Sequence, residues 1–376
     1  MNYKWLKRVA KISNDHTSII FHNSFNQKIE PNTLSEKLTS LTFGWNFNQK
    51  IGSNTLPENL VTLVFGRKFN QGIDPNTLPN NLSSLTFGWQ FDQKIEHNNL
   101  PKNLTTLNFG QDFDQKIEPD TLPENLVTLI LGWSFNQKIE PDTLPKNLSS
   151  LIFGTRFNQK IEPNTLPEKL TTLTFGFSFN QKIEPNTLPE NITFLIFGWH
   201  FNQKIEPNTL PRNLTTLTFG FSFNQKIEPN TLPRNLTTLT FGVCFNQNIE
   251  LDSLLKKLTT ITFGWDFNQN VESISSNIKY IIFDWLISNP FFIKKDIEVI
   301  NNIPRYFNVK IYVNHNIFEK YGPNWPIHVV KYNRRNWSPD IYEIIDKHID
   351  PIYGDITVLI NKETYEPYFH AKSALK

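Results

Sequence analysis

From Phe25 onward the apolar positions return on a fixed spacing: Phe25, Phe47, Phe69, Phe91, Phe113, Phe135, Phe157, Phe179, Phe201, Phe223, Phe245 and Phe267 lie 22 residues apart without a slip. Such a period takes precedence over any domain count drawn from length. The unit reads FNQKIEPNTLPENLTTLTFGWS and carries six apolar columns, represented by Phe157, Ile161, Leu166, Leu170, Leu173 and Phe175. In LTTLTF, as at Leu214 to Phe219, the first, fourth and sixth positions are apolar. This is the strand pattern of a leucine-rich repeat, and its last three residues alternate as a half-buried strand does. Pro185 and Pro189 remove backbone donors and restrict the residues before them, so the return side is predicted to be non-helical. A glycine follows the strand in each copy from Gly44 to Gly264 and is read as a corner where the chain leaves the ladder. Gln27 and its counterparts to Gln269 never vary, and stacked amides there would satisfy turn backbone groups.

These elements predict an LRR-like right-handed solenoid with one parallel β-sheet and mostly non-helical returns. Residues 1–24 form an N-terminal cap: Ile19 and Phe21 hold strand columns, and Trp5, Leu6, Val9 and Ile12 line one face of a short helix. The solenoid occupies 25–285. Strand columns from Phe21 to Phe283 give thirteen predicted strands, roughly 60 Å of ladder. Residues 286–376 lose the period and form a small α+β C-terminal element. Val309–Val313 and Asp355–Ile360 alternate as strands, and Ser338-Pro339-Asp340 starts a helix carrying Ile341, Ile344, Ile345 and Ile349. One isolated repeat buries too little to order itself, so coils must stack to fold.

Composition removes several function classes. The formal net charge is only +2, and acids slightly outnumber bases within the repeats, so no nucleic-acid partner is expected. With Cys244 as the only cysteine there is no disulfide framework and no cysteine-rich zinc site, which suits a reducing compartment. The basic N-terminus lacks the apolar core of a signal peptide, and no run reaches membrane-spanning length. A cytoplasmic monomer, without membrane association or cofactor, is the expectation. Three alanines in the whole chain leave little helix propensity.

The FNQKI core followed by LPENLTTLTFG on this period resembles the FNIP repeats of amoebal proteins and of giant viruses of amoebae, across about residues 16–285. Lysine, as at Lys28 and Lys226, stands where the signature often has proline. The resemblance implies an LRR-like solenoid, and a host-cytoplasm setting if the chain is viral. Some members join the repeats to an F-box, which implies substrate capture for ubiquitin ligases. Too few residues precede the repeats here to carry that role over.

The candidate contact surface is the residue after each corner glycine. Trp45, Trp89, Trp133, Trp199 and Trp265, with Phe177 and Phe221, form an aromatic row suited to a protein interface, or else rings that pack over the edge of the core. A Thr/Ser stripe (Thr171, Thr172, Thr215, Thr216, Thr237, Thr238) reads either as recognition surface or as plain strand propensity. Lys160 with Glu162 and Lys182 with Glu184 read as a self-neutralising solvated face. The sequons at Asn81, Asn103, Asn147, Asn191, Asn213 and Asn235 are by-products of the repeat. Catalytic and metal residues are assigned to none, and no Walker, GxGxxG, GxSxG or HExxH motif occurs. The acids and histidines of the tail (Asp340, Glu343, Asp346, His348, Asp350, Asp355, with His315, His328 and His370) carry the alternative, an enzymatic or metal-binding C-terminal element; Asp340, Glu343 and Asp346 equally form the wet side of a helix. The leading expectation is a non-enzymatic scaffold that binds a protein partner through its concave face or aromatic rim. An expanded array without a dedicated ligand is the third reading.

Overall fold

The computed structural model describes residues 5–249, 255–264, 266, 267, 269 and 278, together with the backbone of 3, 4, 280–283, 310–314, 329–332, 356–360 and 367–371. Its contacts divide into two compact units, Met1–Ile192 and Thr193–Lys376.

The first unit opens with α1 (Tyr3–Val9), followed by β1 (Ala10–Ile12), which pairs antiparallel with β2 (Ser18–Phe21). Ile12 therefore lies on a strand and not on the helix face read from the sequence, because the turn Ser13–Thr17 folds the chain back on itself. Thr17 N–H and Ser18 N–H donate to Ser13 Oγ, Asp15 accepts from Ser13 Oγ at 2.6 Å, and His16 sits at φ 63°. One three-residue strand per repeat follows: β3 (Ser40–Thr42), β4 (Thr62–Val64), β5 (Ser84–Thr86), β6 (Thr106–Asn108), β7 (Thr128–Ile130), β8 (Ser150–Ile152) and β9 (Thr172–Thr174). All pair parallel from β2 to β9, and Leu41, Leu63 and Leu85 stand opposite one another, so each register step is one repeat. Ladder bonds run past the short strands, as where Phe65 N–H donates to Thr86 O and Thr62 N–H to Thr39 O.

The second unit continues with β10 (Phe194–Ile196), β11 (Thr216–Thr218), β12 (Thr238–Thr240), β13 (Thr260–Phe263) and β14 (Tyr280–Phe283), again parallel. Strands β2 to β14 are the thirteen that the columns predict. β15 (Lys310–Asn314) and β16 (Val329–Tyr332) extend this sheet in parallel, and β17 (Ile356–Ile360) pairs antiparallel with β18 (Pro367–Ala371). The strands read at Val309–Val313 and Asp355–Ile360 are thus present. The helix read after Ser338 lies outside the described residues.

The returns are chains of tight turns, for reasons local to the repeat. In Glu162-Pro163-Asn164-Thr165 the Thr165 N–H donates to Glu162 O, and Asn164 has φ 65°. Proline at the second position and a left-handed third residue are the signature of a type II turn, and asparagine tolerates that backbone as few residues do. The same column is left-handed from Asn32 to Asn230, with Asp120 and Asp142 as the two aspartates. A second turn closes from Leu170 N–H to Pro167 O, and a third from Phe157 N–H to Gly154 O. Among the described residues α1 is the one helix.

The six apolar columns are buried in nearly every coil and form the core. Two phenylalanine columns stack, one of them interrupted at Leu131: Phe65 lies 3.8 Å from Phe69 within a coil, 5.7 Å from Phe87 in the next, and Phe69 is 6.2 Å from Phe91. A further buried column lies in what the sequence reads as a return segment. The threonines of PNTLP, from Thr55 to Thr231, are buried although polar. Thr121 Oγ1 donates to Glu118 O at 2.7 Å, whereas the buried hydroxyls of Thr77, Thr143, Thr165, Thr187, Thr209 and Thr231 make no hydrogen bond among the described residues.

The glycine column is also corrected in its cause. A Cβ on Gly88 would collide with the carbonyl oxygen of Gly66, and the pattern repeats up the array. The glycines are there because successive coils touch backbone to backbone, leaving no room for a side chain.

Candidate functional site

The residue after each of these glycines sits at the second position of the Gly-to-Phe turn, with its main chain locked and its side chain outside. Trp45 O accepts from Lys68 N–H at 2.8 Å, Trp89 O from Asp112 N–H at 2.7 Å and Trp133 O from Arg156 N–H at 2.9 Å. The rings are 55%, 49% and 45% exposed at Trp45, Trp89 and Trp133. Packing over the core edge is therefore not what these three indoles do. They occupy every second coil, about 10 Å apart on the ladder spacing.

The orientation of Trp89 follows from the residue one coil before it. The Arg67 guanidinium stands 4.0 Å from the centre of the Trp89 ring, over its face. Arg67 is one coil away along the ladder, so the indole turns its face along the ladder and its edge toward solvent, as a tooth rather than a flat platform. The attraction is that of a cation for the ring quadrupole. Phe177 is also exposed in this unit. In the second unit Trp199 is exposed and stacks on Phe221 at 4.2 Å with planes 4° apart. Trp265 lies outside the described residues.

The other candidate surfaces are partly spent on the fold. Thr171, Thr215 and Thr237 each donate their hydroxyl to the main-chain carbonyl of the residue one coil earlier, at 3.1, 2.9 and 3.0 Å. Thr172, Thr216 and Thr238 are half-buried on the strand. The Lys and Glu columns pair within a coil, as in Lys160 with Glu162 at 3.2 Å and Lys182 with Glu184 at 3.2 Å, on exposed side chains where such pairs add little. Lys50 reaches across to Asp74 at 2.8 Å. The sequon asparagines have a structural task as well: Asn103, Asn147, Asn191 and Asn235 donate Nδ2 to a carbonyl of the preceding coil.

Among the described residues, no group of three or more His, Cys, Asp or Glu side chains is arranged to hold a metal, and no helix is long and apolar enough to cross a membrane. Asp340, Glu343, Asp346, His348, Asp350, His315 and His328 lie outside those residues, and Asp355 with them; His370 lies on β18, described as backbone only. Cys244 sits at the third position of its corner turn. Burial pushes its thiol above the ordinary value, and the Asp266 carboxylate adds to the shift by repulsion and hydrogen bonding.

The columns that join the coils are continuous side-chain ladders. Asn48 Oδ1 accepts from Asn70 N–H at 2.9 Å and from Gln71 Nε2 at 3.1 Å, and Asn70 Oδ1 repeats this for Asp92 and Gln93. Aspartate can serve in the same place, since Asp92 Oδ1 accepts from Asp114 N–H and Gln115 Nε2, both at 2.9 Å, while Asp114 Oδ1 accepts from Asn136 N–H at 2.8 Å. This explains why the column tolerates Asn and Asp while glutamine never varies: glutamine must supply a donor.

The comparisons with known proteins agree with this geometry. The FNIP Repeat family model matches residues 25–68, 69–112, 91–134, 113–156, 135–178, 179–222, 201–244 and 223–266, each match spanning two units. Among solved structures, CroV588, a giant-virus protein described as a novel circular LRR protein, is 52% identical with a TM-score of 0.68, over 70% of this chain and 39% of that one. The chain thus spans about two fifths of that protein's length. The pneumococcal vaccine antigen PcpA is 14% identical over 81% of this chain and 82% of its own, with a TM-score of 0.25. No curated protein matches. With matches running from Phe25 to Asp266, the chain belongs to the FNIP-repeat family and is an LRR-like parallel solenoid.

Proposed function

We propose that this protein is an interaction scaffold that binds a protein partner through the aromatic edge of its first unit. The observation that carries the reading is the row of exposed indoles at Trp45, Trp89 and Trp133, repeated on alternate coils of a rigid ladder. Large rings with an apolar body and a hydrogen-bonding N–H are the residues that most often dominate interface energetics. LRR-type solenoids commonly serve in protein interaction, which supports the same class of function. The hydroxyl stripe is a weaker contender because half of its donors are already used on the backbone. The proposal includes a monomer acting in the cytoplasm, without catalysis.

The test is affinity capture with the intact chain and with Trp89→Ala/Trp133→Ala, both shown to be folded, followed by quantitative mass spectrometry. A specific partner retained by the wild type and reduced at least tenfold in the variant supports the edge as the contact. A partner captured equally by both moves the site elsewhere on the molecule.

A further inference from the structure

The amide ladder has a first rung, and its donors face a recess. In most later coils the N–H of the Asn/Asp column and the Nε2 of the following glutamine both donate to the side-chain oxygen of the residue one period earlier, and above Asp114 the Asn136 N–H alone does so. Asn48 N–H and Gln49 Nε2 do so to Asn26 Oδ1, at 2.9 and 3.2 Å. One period before Asn26 lies Lys4, within α1, so no such oxygen precedes the first rung. Among the described residues neither Asn26 N–H nor Gln27 Nε2 has an acceptor. Both residues line a recess of ≈ 270 Å³ together with Arg8, Val9, His22, Ser24 and Phe25.

We propose that this recess is a carboxylate-binding site, in which one carboxylate oxygen takes the place that the preceding side-chain oxygen holds in the rungs from Asn48 to Asp114. The protein supplies its own precedent for the ligand: at the fifth rung the oxygen between the two donors belongs to a carboxylate, Asp92, which receives Asp114 N–H and Gln115 Nε2, both at 2.9 Å. The terminal rung offers the same pair of donors and adds a cation. Arg8 lines the recess from the last turn of α1 with its side chain exposed, able to meet the second oxygen with its fork of donors. His22 is held beside it by its main chain, which donates to Val9 O at 2.8 Å. Nothing acidic lines the recess. The ligand class is a carboxylate, whether borne by an acidic side chain of a polypeptide or by a free organic acid. The site is at the end of the ladder and does not depend on the aromatic edge.

The test is an amide and side-chain-amide nuclear magnetic resonance titration of the intact protein with sodium acetate, with sodium chloride at matched ionic strength as control. A parallel titration uses a blocked peptide, acetyl-Gly-Asp-Gly-amide. The expected result is a saturable shift of Asn26 N–H and the Gln27 side-chain amide with acetate and not with chloride. Arg8→Gln should weaken it several-fold, and Gln27→Glu, which replaces the donor by an acceptor of the same shape, should abolish it. Tighter binding of the peptide than of acetate at these resonances identifies a polypeptide source, and equal binding a free acid. No saturable shift at Asn26 and Gln27, an equal shift with chloride, or a shift unchanged in both variants overturns the proposal. Unchanged resonances at Asn70, Gln71 and beyond show that the variants are folded.

Discussion

At the scale of single residues, the repeat separates glycines that the chain needs from those it merely has. Gly88→Ala places a methyl group against the Gly66 carbonyl and should cost about 3 kcal/mol in denaturant unfolding, the upper range for overpacking a rigid site. Gly72→Ala meets nothing, and should stabilise by about 0.5 kcal/mol through the unfolded chain. The sequence made the column visible but not its cause, because a corner and a backbone contact leave the same letter. Cys244 offers a second check. Since only the thiolate is reactive and the thiol is shifted upward, alkylation by iodoacetamide should still be accelerating above pH 9, and Asp266→Asn should speed it at any lower pH. The buried threonines escaped sequence reading for a related reason: within PNTLP a hydroxyl looks like loop polarity, and only the turn that folds it inward shows otherwise.

At the scale of elements, the coils are held together by side chains as much as by the sheet. Asn70→Ala removes the oxygen shared by Asp92 N–H and Gln93 Nε2, leaving two half-buried donors without an acceptor, at about 1–3 kcal/mol in unfolding measurements. Asn70→Asp keeps the oxygen and should fall within about 0.5 kcal/mol of wild type at neutral pH. The cap is governed by a different contact. The Asp15 carboxyl is held below its ordinary range chiefly by the Ser13 hydroxyl and by the Thr17 N–H. A lowered folded-state value means that this contact stabilises the hairpin above the unfolded pKa of about 3.9 and is lost as pH falls through the folded value. Hydrogen exchange in α1 and β1 should therefore rise on acidification below about pH 4 before that of β4 to β8 does, and Asp15→Asn should remove the difference. The strands themselves were legible down to their number, because alternation and period agree. The antiparallel β1 was not, because its three residues extend an apolar spacing that suits a helix equally well.

At the scale of the whole molecule, the candidate contact surface was half legible. Which residues follow the glycines is plain from the repeat, but whether their rings lie in or out is not. That choice is made by the main chain: the Gly-to-Phe turn and the bond from the next coil hold the backbone of Trp45, Trp89 and Trp133, and their side chains stand exposed. Ring orientation depends on the neighbouring coil's residue, as Arg67 shows, and a period cannot encode what differs from one copy to the next. Because the rings are outside, Trp89→Ala/Trp133→Ala should unfold within about 1 kcal/mol of wild type while losing the partner, so stability and binding separate in one pair of measurements. The recess at the first rung was invisible to the sequence altogether, since its residues are those of every other rung and only the lack of a predecessor sets them apart.

That interchangeability reaches beyond the folded state. Most coils present their successor with the same oxygen, the same carbonyl and the same flat ring, so the joint between one such pair resembles the joint between another. In the gene, a crossover between misaligned repeats that removes or inserts one whole period rejoins surfaces that already match. A change of one whole period should therefore cost less stability than a deletion of part of one, which unfolding measurements on the two variants would show.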